Sequence, residues 1–183
     1  DAFGERPEGM TRTEKIVSGL RELGFRLRLR ALFMLVSSLA LIWIYRLVLR
    51  WRGSGFEALL AACLLGSSWE VAYHLRWIAP DGLLMQFAAL VLLACFAAVH
   101  AKGGRRWLLV AAIAAGFGCG SKYPGGLLAL PVFVATCMIA PTLWEERSAQ
   151  VRGVLLQSLK LGAVFLVTYL VTTPGTIFEW DLF

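Results

Sequence analysis

A short polar stretch, His74 to Leu84, separates two long apolar runs and holds the residues best suited to chemistry. It contains His74, Arg76 and Asp81, and the aspartate directly follows Pro80. In a lipid environment each of these groups costs free energy unless it lines water or meets a partner. This polar stretch is therefore the first candidate for a functional site.

Asp81, and the pair of Glu70 and His74 at the start of the polar stretch, also have ordinary structural explanations. Asp81 follows a proline, which is favoured in the first turn of a helix, and the helix dipole stabilises a carboxylate there. Glu70 and His74 are four residues apart and share a helix face, which is a spacing suited to a metal pair. Because no second histidine is nearby, a hydrogen-bonded pair at a helix end is the favoured interpretation.

Two cations lie beside aromatic residues, Arg76 before Trp77 and Lys122 before Tyr123. The arginine fork matches phosphate geometry and lysine supplies a point charge, so both cations are candidates for binding an anionic head group. The alternative is that they snorkel to the membrane interface. The run from Gly116 to Lys122 resembles a phosphate loop only superficially, because a Walker A motif needs glycine before the lysine and a preceding strand.

The composition indicates an integral membrane protein. The chain is 58% hydrophobic and only 16% charged, with a mean hydropathy of +0.69, which is too apolar for an ordinary water-soluble domain. Its net charge of +6 fits cytoplasmic loops better than nucleic-acid binding, because most basic residues lie at the ends of apolar segments. No nucleic-acid partner is expected. The four cysteines lie inside apolar runs and are interpreted as small core residues: Cys63, Cys95, Cys119 and Cys137.

Hydropathy predicts an all-α, polytopic transmembrane helix bundle with about six membrane segments. The predicted segments are 31–49, 56–73, 83–100, 106–121, 125–143 and 153–173. Residues 1–30 form a separate polar region with a predicted amphipathic juxtamembrane helix, and 31–183 form the bundle. Between the fourth and fifth segments, Lys122, Tyr123 and Pro124 predict a tight turn. The glycines around it are interpreted as sites of close helix contact.

Loop charges predict the orientation. One side of the bundle carries eight basic residues and the other carries only Arg76 and Lys122, so the basic side is assigned to the cytoplasm. The eight are Arg46, Arg50, Arg52, Lys102, Arg105, Arg106, Arg147 and Arg152. The polar stretch, the Lys122 turn and the segment after Thr172 then share the non-cytoplasmic face. Residues 1–30 argue against this assignment, because they carry seven basic residues on that same face.

The order of these motifs resembles a known enzyme family. The first span has a basic end at Tyr45–Arg52, the second ends in the polar stretch, and a glycine-rich span closes with Ser121–Pro131. From about residue 28 to 183, the pattern resembles GT-C membrane glycosyltransferases of the dolichyl-phosphate-mannose-protein mannosyltransferase type. In that family an Arg-x-Pro-Asp-like element begins a span, and here it reads Arg76 to Asp81 with two residues inserted. The segment from Thr172 to Asp181 is similar to the family's outer Thr-Pro segment.

The resemblance implies an enzyme of the bacterial inner membrane that transfers a sugar, with inversion, from a polyprenyl-phosphate donor. The acceptor, on the non-cytoplasmic face, is a lipid, protein or glycan. Such chemistry needs a carboxylate base and a cation or metal beside the departing phosphate. Asp81 is implied as a supporting catalytic carboxylate that orients substrate or binds a divalent metal, with His74 lining the same mouth. Arg76, Lys122 and Tyr123 would bind the lipid phosphate.

The family's principal acidic residue is expected upstream of Asp1, in a longer protein of which this chain is an inactive part. Two alternatives stay open at this point. A transporter or flippase places ionisable residues near the middle of the membrane on broken helices, and Glu57, Glu70 and Lys160 leave room for that function. A non-catalytic scaffold needs no cluster of polar groups, and its three outer segments would lie far apart.

Overall fold

Helices account for every regular element in the described part of the computed structural model, which comprises residues 23–76, 79–100, 104–143 and 146–175. In chain order they are α1 Leu23–Arg52, α2 Gly55–Ser67, α3 Trp69–Arg76, α4 Pro80–His100, α5 Gly104–Ser121, a 3-10 helix Tyr123–Leu128, α6 Ala129–Leu143 and α7 Arg147–Thr172. No strand occurs in these four ranges. The all-α prediction is therefore confirmed.

Four helices of the described chain are long and apolar enough to cross a membrane: Gly24–Arg52, Pro80–His100, Tyr123–Ala140 and Arg147–Thr172. The other two predicted segments correspond to α2 and α5. Helix α2 is apolar but only 13 residues long, and α5 begins with Arg105 and Arg106 in its first turn. The transmembrane helix bundle is confirmed, and four of the roughly six predicted segments correspond to helices that are long and apolar enough to span.

Helix α1 extends beyond the first predicted segment. It runs without a break from Leu23 to Arg52, because the arginines and leucines before residue 31 are strong helix formers even though they are too polar for a hydropathy window. The predicted amphipathic helix of residues 1–30 falls largely on residues 1–22, which lie outside the described chain. The rest of the predicted amphipathic helix, from Leu23 onward, forms the first part of α1.

The second predicted segment is divided into two helices at Ser68. This residue has extended backbone angles, φ −60° and ψ 129°, and its N–H bonds to the carbonyl of Leu65. Serine favours helix ends because it competes for backbone hydrogen bonds. The eight-residue helix α3 that follows carries Glu70 and His74 on a separate element beside the start of α4.

Helix α5 packs closely against its neighbours through glycine. A side chain at Gly116 would lie 2.7 Å from the backbone oxygen of Phe165 in α7, and one at Gly118 would lie 2.7 Å from Leu128. A side chain at Gly120 would collide with Thr172. These contacts confirm that the glycines serve close helix packing. The rejection of a phosphate loop also holds, since residues 116–121 are helical.

The basic ends of the helices meet on one side of the bundle. Gly53 turns the chain with φ +70°, Ser54 caps α2, and Arg52 pairs with Glu57 at 2.8 Å. The guanidinium of Arg50 lies 5.2 Å from the ring centre of Trp107 at the start of α5. The end of α1 and the start of α5, which carry the first and second of the three predicted basic links, therefore lie at the same end of the bundle.

The cysteines follow the prediction only in part. All four are free thiols; Cys95 is buried and Cys119 half-buried, as expected of core residues. Cys63 and Cys137 are exposed on the outside of the bundle, so the core assignment is wrong for these two. A cysteine within an apolar run does not reveal which side of the helix it occupies.

Candidate functional site

The start of α4 and the turn after α5 meet in an ion pair between two predicted site residues. The Nζ of Lys122 donates a hydrogen bond to Oδ1 of Asp81 over 2.6 Å, although the residues are 41 positions apart in sequence. Their side chains are 45% and 32% exposed. The pair thus lies at an accessible end of the bundle and joins two elements that the sequence could place only on a common face.

His74 lies between two carboxylates. Its Nδ1 is 3.8 Å from Oδ2 of Asp81, and its Nε2 is 3.7 Å from Oε1 of Glu70. Asp81 therefore faces Lys122 with one oxygen and His74 with the other. The contact with Glu70 follows the predicted spacing of four residues on one helix face. These distances exceed those of direct hydrogen bonds, so the imidazole has nitrogen atoms available for a further partner.

The turn that carries Lys122 is fixed by short backbone contacts. Lys122 is extended, with φ −157° and ψ 134°, and precedes the 3-10 helix that contains Pro124. Its N–H bonds to the carbonyl of Gly118, and its own carbonyl accepts from the N–H of Gly125 over 2.8 Å. A side chain at Gly125 would overlap the backbone of Gly118. Only glycine allows the turn to lie this close to the end of α5.

The turn that carries Asp81 is supported by α1. Gly82 is buried, and a side chain there would lie 2.9 Å from Oγ of Ser37 and 3.3 Å from the ring of Phe33. The N–H of Gly82 bonds to the carbonyl of Ala79, which closes the first turn of α4. The contact of Gly82 with α1 therefore sets the position of the Asp81 carboxylate, and the contact of Gly125 with α5 sets the position of the Lys122 ammonium group.

A cleft of about 230 Å³ opens beside the ion pair and is lined by Glu70, Val71, His74, Asp81, Gly82 and Met85. The lining combines two carboxylates and an imidazole with apolar side chains. Within the described ranges, no three histidine, cysteine, aspartate or glutamate residues converge as metal ligands. The Oδ1 atom of Asp81 is also occupied by the ammonium of Lys122, so these residues do not fit a divalent ion in their present arrangement.

The remaining predicted residues have different outcomes. Tyr123 follows Lys122 and is 65% exposed at the same end of the bundle. Arg76 ends α3, but its side chain and all of Trp77 lie outside what the structure describes. The contact of Gly120 with Thr172 also brings the end of α7 to this turn. The part of the outer segments that is described thus lies together, unlike the separated segments expected of a scaffold.

Two aromatic residues of α3 were missed at the sequence level. The rings of Trp69 and Tyr73 stack with centres 6.1 Å apart, and the Tyr73 ring meets His74 edge-on at 5.4 Å. Trp69 is 73% exposed and Tyr73 47%. Their spacing of four residues was the available signal, but it was hidden within a run assigned to a membrane span.

One comparison with known proteins gives a match. The family model described as dolichyl-phosphate-mannose-protein mannosyltransferase covers residues 22–173, which is most of the chain and includes the whole of the site. No curated protein and no solved structure matches.

Proposed function

Since the chain belongs to the dolichyl-phosphate-mannose-protein mannosyltransferase family, a family of GT-C membrane glycosyltransferases, we propose that it transfers sugar from a polyprenyl-phosphate donor. The acceptor is a lipid, protein or glycan on the non-cytoplasmic face, and transfer inverts the anomeric carbon. The membrane is proposed to be the bacterial inner membrane. The observation that carries the proposal is the contact of 2.6 Å between Lys122 and Asp81.

Lys122 is proposed to bind the phosphate of the donor. An ammonium group has three N–H donors, and one of them is directed at Asp81 while the side chain stays 45% exposed. The other donors can reach a phosphate that approaches from the open end of the bundle. As the bond to the sugar breaks, negative charge grows on the departing lipid phosphate, and a fixed cation stabilises it.

Asp81 is proposed to act as the supporting carboxylate. Its Oδ1 fixes the position of the ammonium group, and its Oδ2 faces His74 and the cleft. A positioned cation needs less rearrangement during the reaction than a mobile one, which is how electrostatic preorganisation lowers a barrier. His74, Arg76 and Tyr123 complete the proposed phosphate and substrate contacts. The carboxylate that deprotonates the acceptor is proposed to lie elsewhere in the protein and not among these site residues.

The described ionisable residues give little support to a transporter. Glu57 lies in the first turn of α2 and pairs with Arg52, which is a helix-end position rather than one near the middle of the membrane. Glu70 lies in the first turn of α3 and is 81% exposed at the cleft. Lys160 is exposed near the middle of α7. Of these three residues it is the one whose position suits a transporter, although its long side chain can also snorkel toward an interface.

The experiment that tests the proposal measures sugar transfer by the full-length protein in membranes of the producing cell. A radiolabelled polyprenyl-phosphate mannose donor and the native acceptors of those membranes serve as substrates. We expect Lys122→Ala to lower the rate of transfer about 100-fold, the loss typical of removing one charge-stabilising donor. Glu57→Gln is the matched control at the opposite end of the bundle. Wild-type membranes that move the labelled lipid across the bilayer without transferring sugar would exclude the proposal.

A further inference from the structure

We propose that one face of α3, formed by Glu70 and His74 with the ring of Tyr73 beside them, binds the sugar ring of the lipid-linked donor. In this subsite Glu70 recognises sugar hydroxyl groups. The inference rests on the proposed function, because the sugar it describes is attached to the phosphate at Lys122. It adds a residue, Glu70, that determines which sugar is accepted.

The order of contacts along the cleft supports this assignment. Lys122 and His74 touch different oxygens of the same Asp81 carboxylate, and Glu70 lies beyond His74. In the donor, the sugar is joined to the phosphate by one oxygen atom. In the proposed binding mode, a phosphate held by Lys122 has its sugar over Asp81 and His74, with the ring hydroxyls furthest from the phosphate directed at Glu70.

The chemistry of the lining suits a sugar. Ionised carboxylates accept hydrogen bonds from hydroxyl groups and imidazole nitrogens can donate or accept them, while Val71 and Met85 cover the apolar side of the cleft. Tyr73 lies edge-on to His74, and its ring stacks on that of Trp69 with 30° between the two rings, so an aromatic pair lies beside the polar group. A ring with polar edges and apolar C–H faces needs both kinds of surface.

The carboxylate of Glu70 contributes little to the stability of the fold. Its side chain is 81% exposed, and its contact among the described residues is the 3.7 Å approach to His74. An exposed ion pair of this kind contributes little to stability. Its position in the first turn of α3 is mildly favourable for an acidic residue, but that role does not require the carboxylate to line a cleft. Glu70→Gln keeps the size of the side chain and is expected to leave the fold intact.

The experiment compares binding of two lipids to the purified full-length protein: polyprenyl phosphate, which has no sugar, and polyprenyl-phosphate mannose. Glu70→Gln is expected to raise Kd for the mannosyl lipid about tenfold or more, the effect of losing a hydrogen bond to a charged group. Its Kd for the sugar-free lipid should stay unchanged. Tyr73→Ala should show the same selectivity. Glu57→Gln and Trp51→Ala are matched controls, since Trp51 is 67% exposed at the basic end of α1.

The two lipids separate the possible failures. If wild-type protein binds neither lipid, the proposed function fails. If wild-type protein binds both lipids and Glu70→Gln weakens neither, or weakens both equally, the sugar subsite is wrong while the proposed function stands. An unchanged Kd for both lipids in Tyr73→Ala would overturn the aromatic part of the subsite and assign Trp69 and Tyr73 to the aromatic belt at the membrane interface.

Discussion

The ion pair of Lys122 and Asp81 should matter far more for transfer than for stability. Its side chains are 45% and 32% exposed, and pairs at such exposed positions contribute about 0.2–1 kcal/mol to the free energy of unfolding. For a chain of this size, 1 kcal/mol corresponds to a shift in Tm of about 2–4 °C. Lys122→Ala and Asp81→Asn should therefore fold and lower Tm by about 4 °C at most.

The effect on transfer follows from the shared contact. If Asp81 acts by holding the ammonium group at the donor phosphate, each single substitution removes the same stabilisation of the transition state. We expect each to lower the rate about 100-fold, which corresponds to about 2.7 kcal/mol. In the double variant the loss should stay near 100-fold instead of multiplying to about 10,000-fold, because one interaction cannot be lost twice.

The assay is single-turnover transfer from labelled polyprenyl-phosphate mannose in native membranes, with Tm measured in detergent on the same variants. Glu57→Gln tests a second exposed ion pair of similar length, 2.8 Å to Arg52. It should leave the transfer rate unchanged and lower Tm by no more than the same ~4 °C. Multiplicative losses in the double variant would refute the argument, since Asp81 would then act independently of Lys122. A loss of Tm well beyond 4 °C would instead show that the pair supports the fold.

Two further predictions concern the fold that holds this pair. Gly116→Ala should lower the free energy of unfolding by about 1–3 kcal/mol through overpacking against Phe165. Gly162→Ala, where the added carbon meets open space, should be neutral or slightly stabilising, because alanine is the better helix former. Thermal unfolding in detergent measures both, and equal effects would contradict the packing. Labelling in a cysteine-free background tests the orientation. Tyr123→Cys, on the proposed non-cytoplasmic face, should react with a membrane-impermeant maleimide in intact cells, whereas Trp51→Cys, on the proposed cytoplasmic face, should react only after permeabilisation. The reverse pattern would invert the proposed orientation.

Hydropathy was sufficient to predict the helices but not where they break. The apolar run of residues 56–73 carries a local signal in Gly66 and the Ser67–Ser68 pair, but a window average passes over it and over the break between α2 and α3. Conversely, the polar residues before 31 end the predicted segment although their helix propensity continues α1 back to Leu23. The turn at Lys122 and the start of α4 at Pro80 carried strong local signals, and both lie where proline and glycine predict them.

The sequence could predict which site residues share one end of the bundle, but not which of them are in contact. Loop charges and the order of spans put Asp81 and Lys122 at the same end of the bundle, and the four-residue spacing put Glu70 beside His74. No local pattern could show that Lys122 Nζ lies on Asp81 Oδ1, because that contact depends on how α4 and α5 pack across 41 residues of sequence. The exposed ring pair of Trp69 and Tyr73 was missed for the related reason that α3 was assigned to a span.

Glycine packing explains why this particular cation meets this particular carboxylate. Gly118 and Gly125 bring the Lys122 turn against the end of α5, and Gly82 lets the first turn of α4 rest on Ser37 of α1. A side chain at any of these positions would push the backbone that carries a charged group, so the geometry of the site is set by main-chain contacts rather than by the charges themselves. The ion pair is exposed and weak, and it stays formed because both of its backbone attachments are held in place. This arrangement suits a cation that keeps one N–H on its carboxylate while its other N–H groups receive a phosphate, since its position is set before the phosphate arrives.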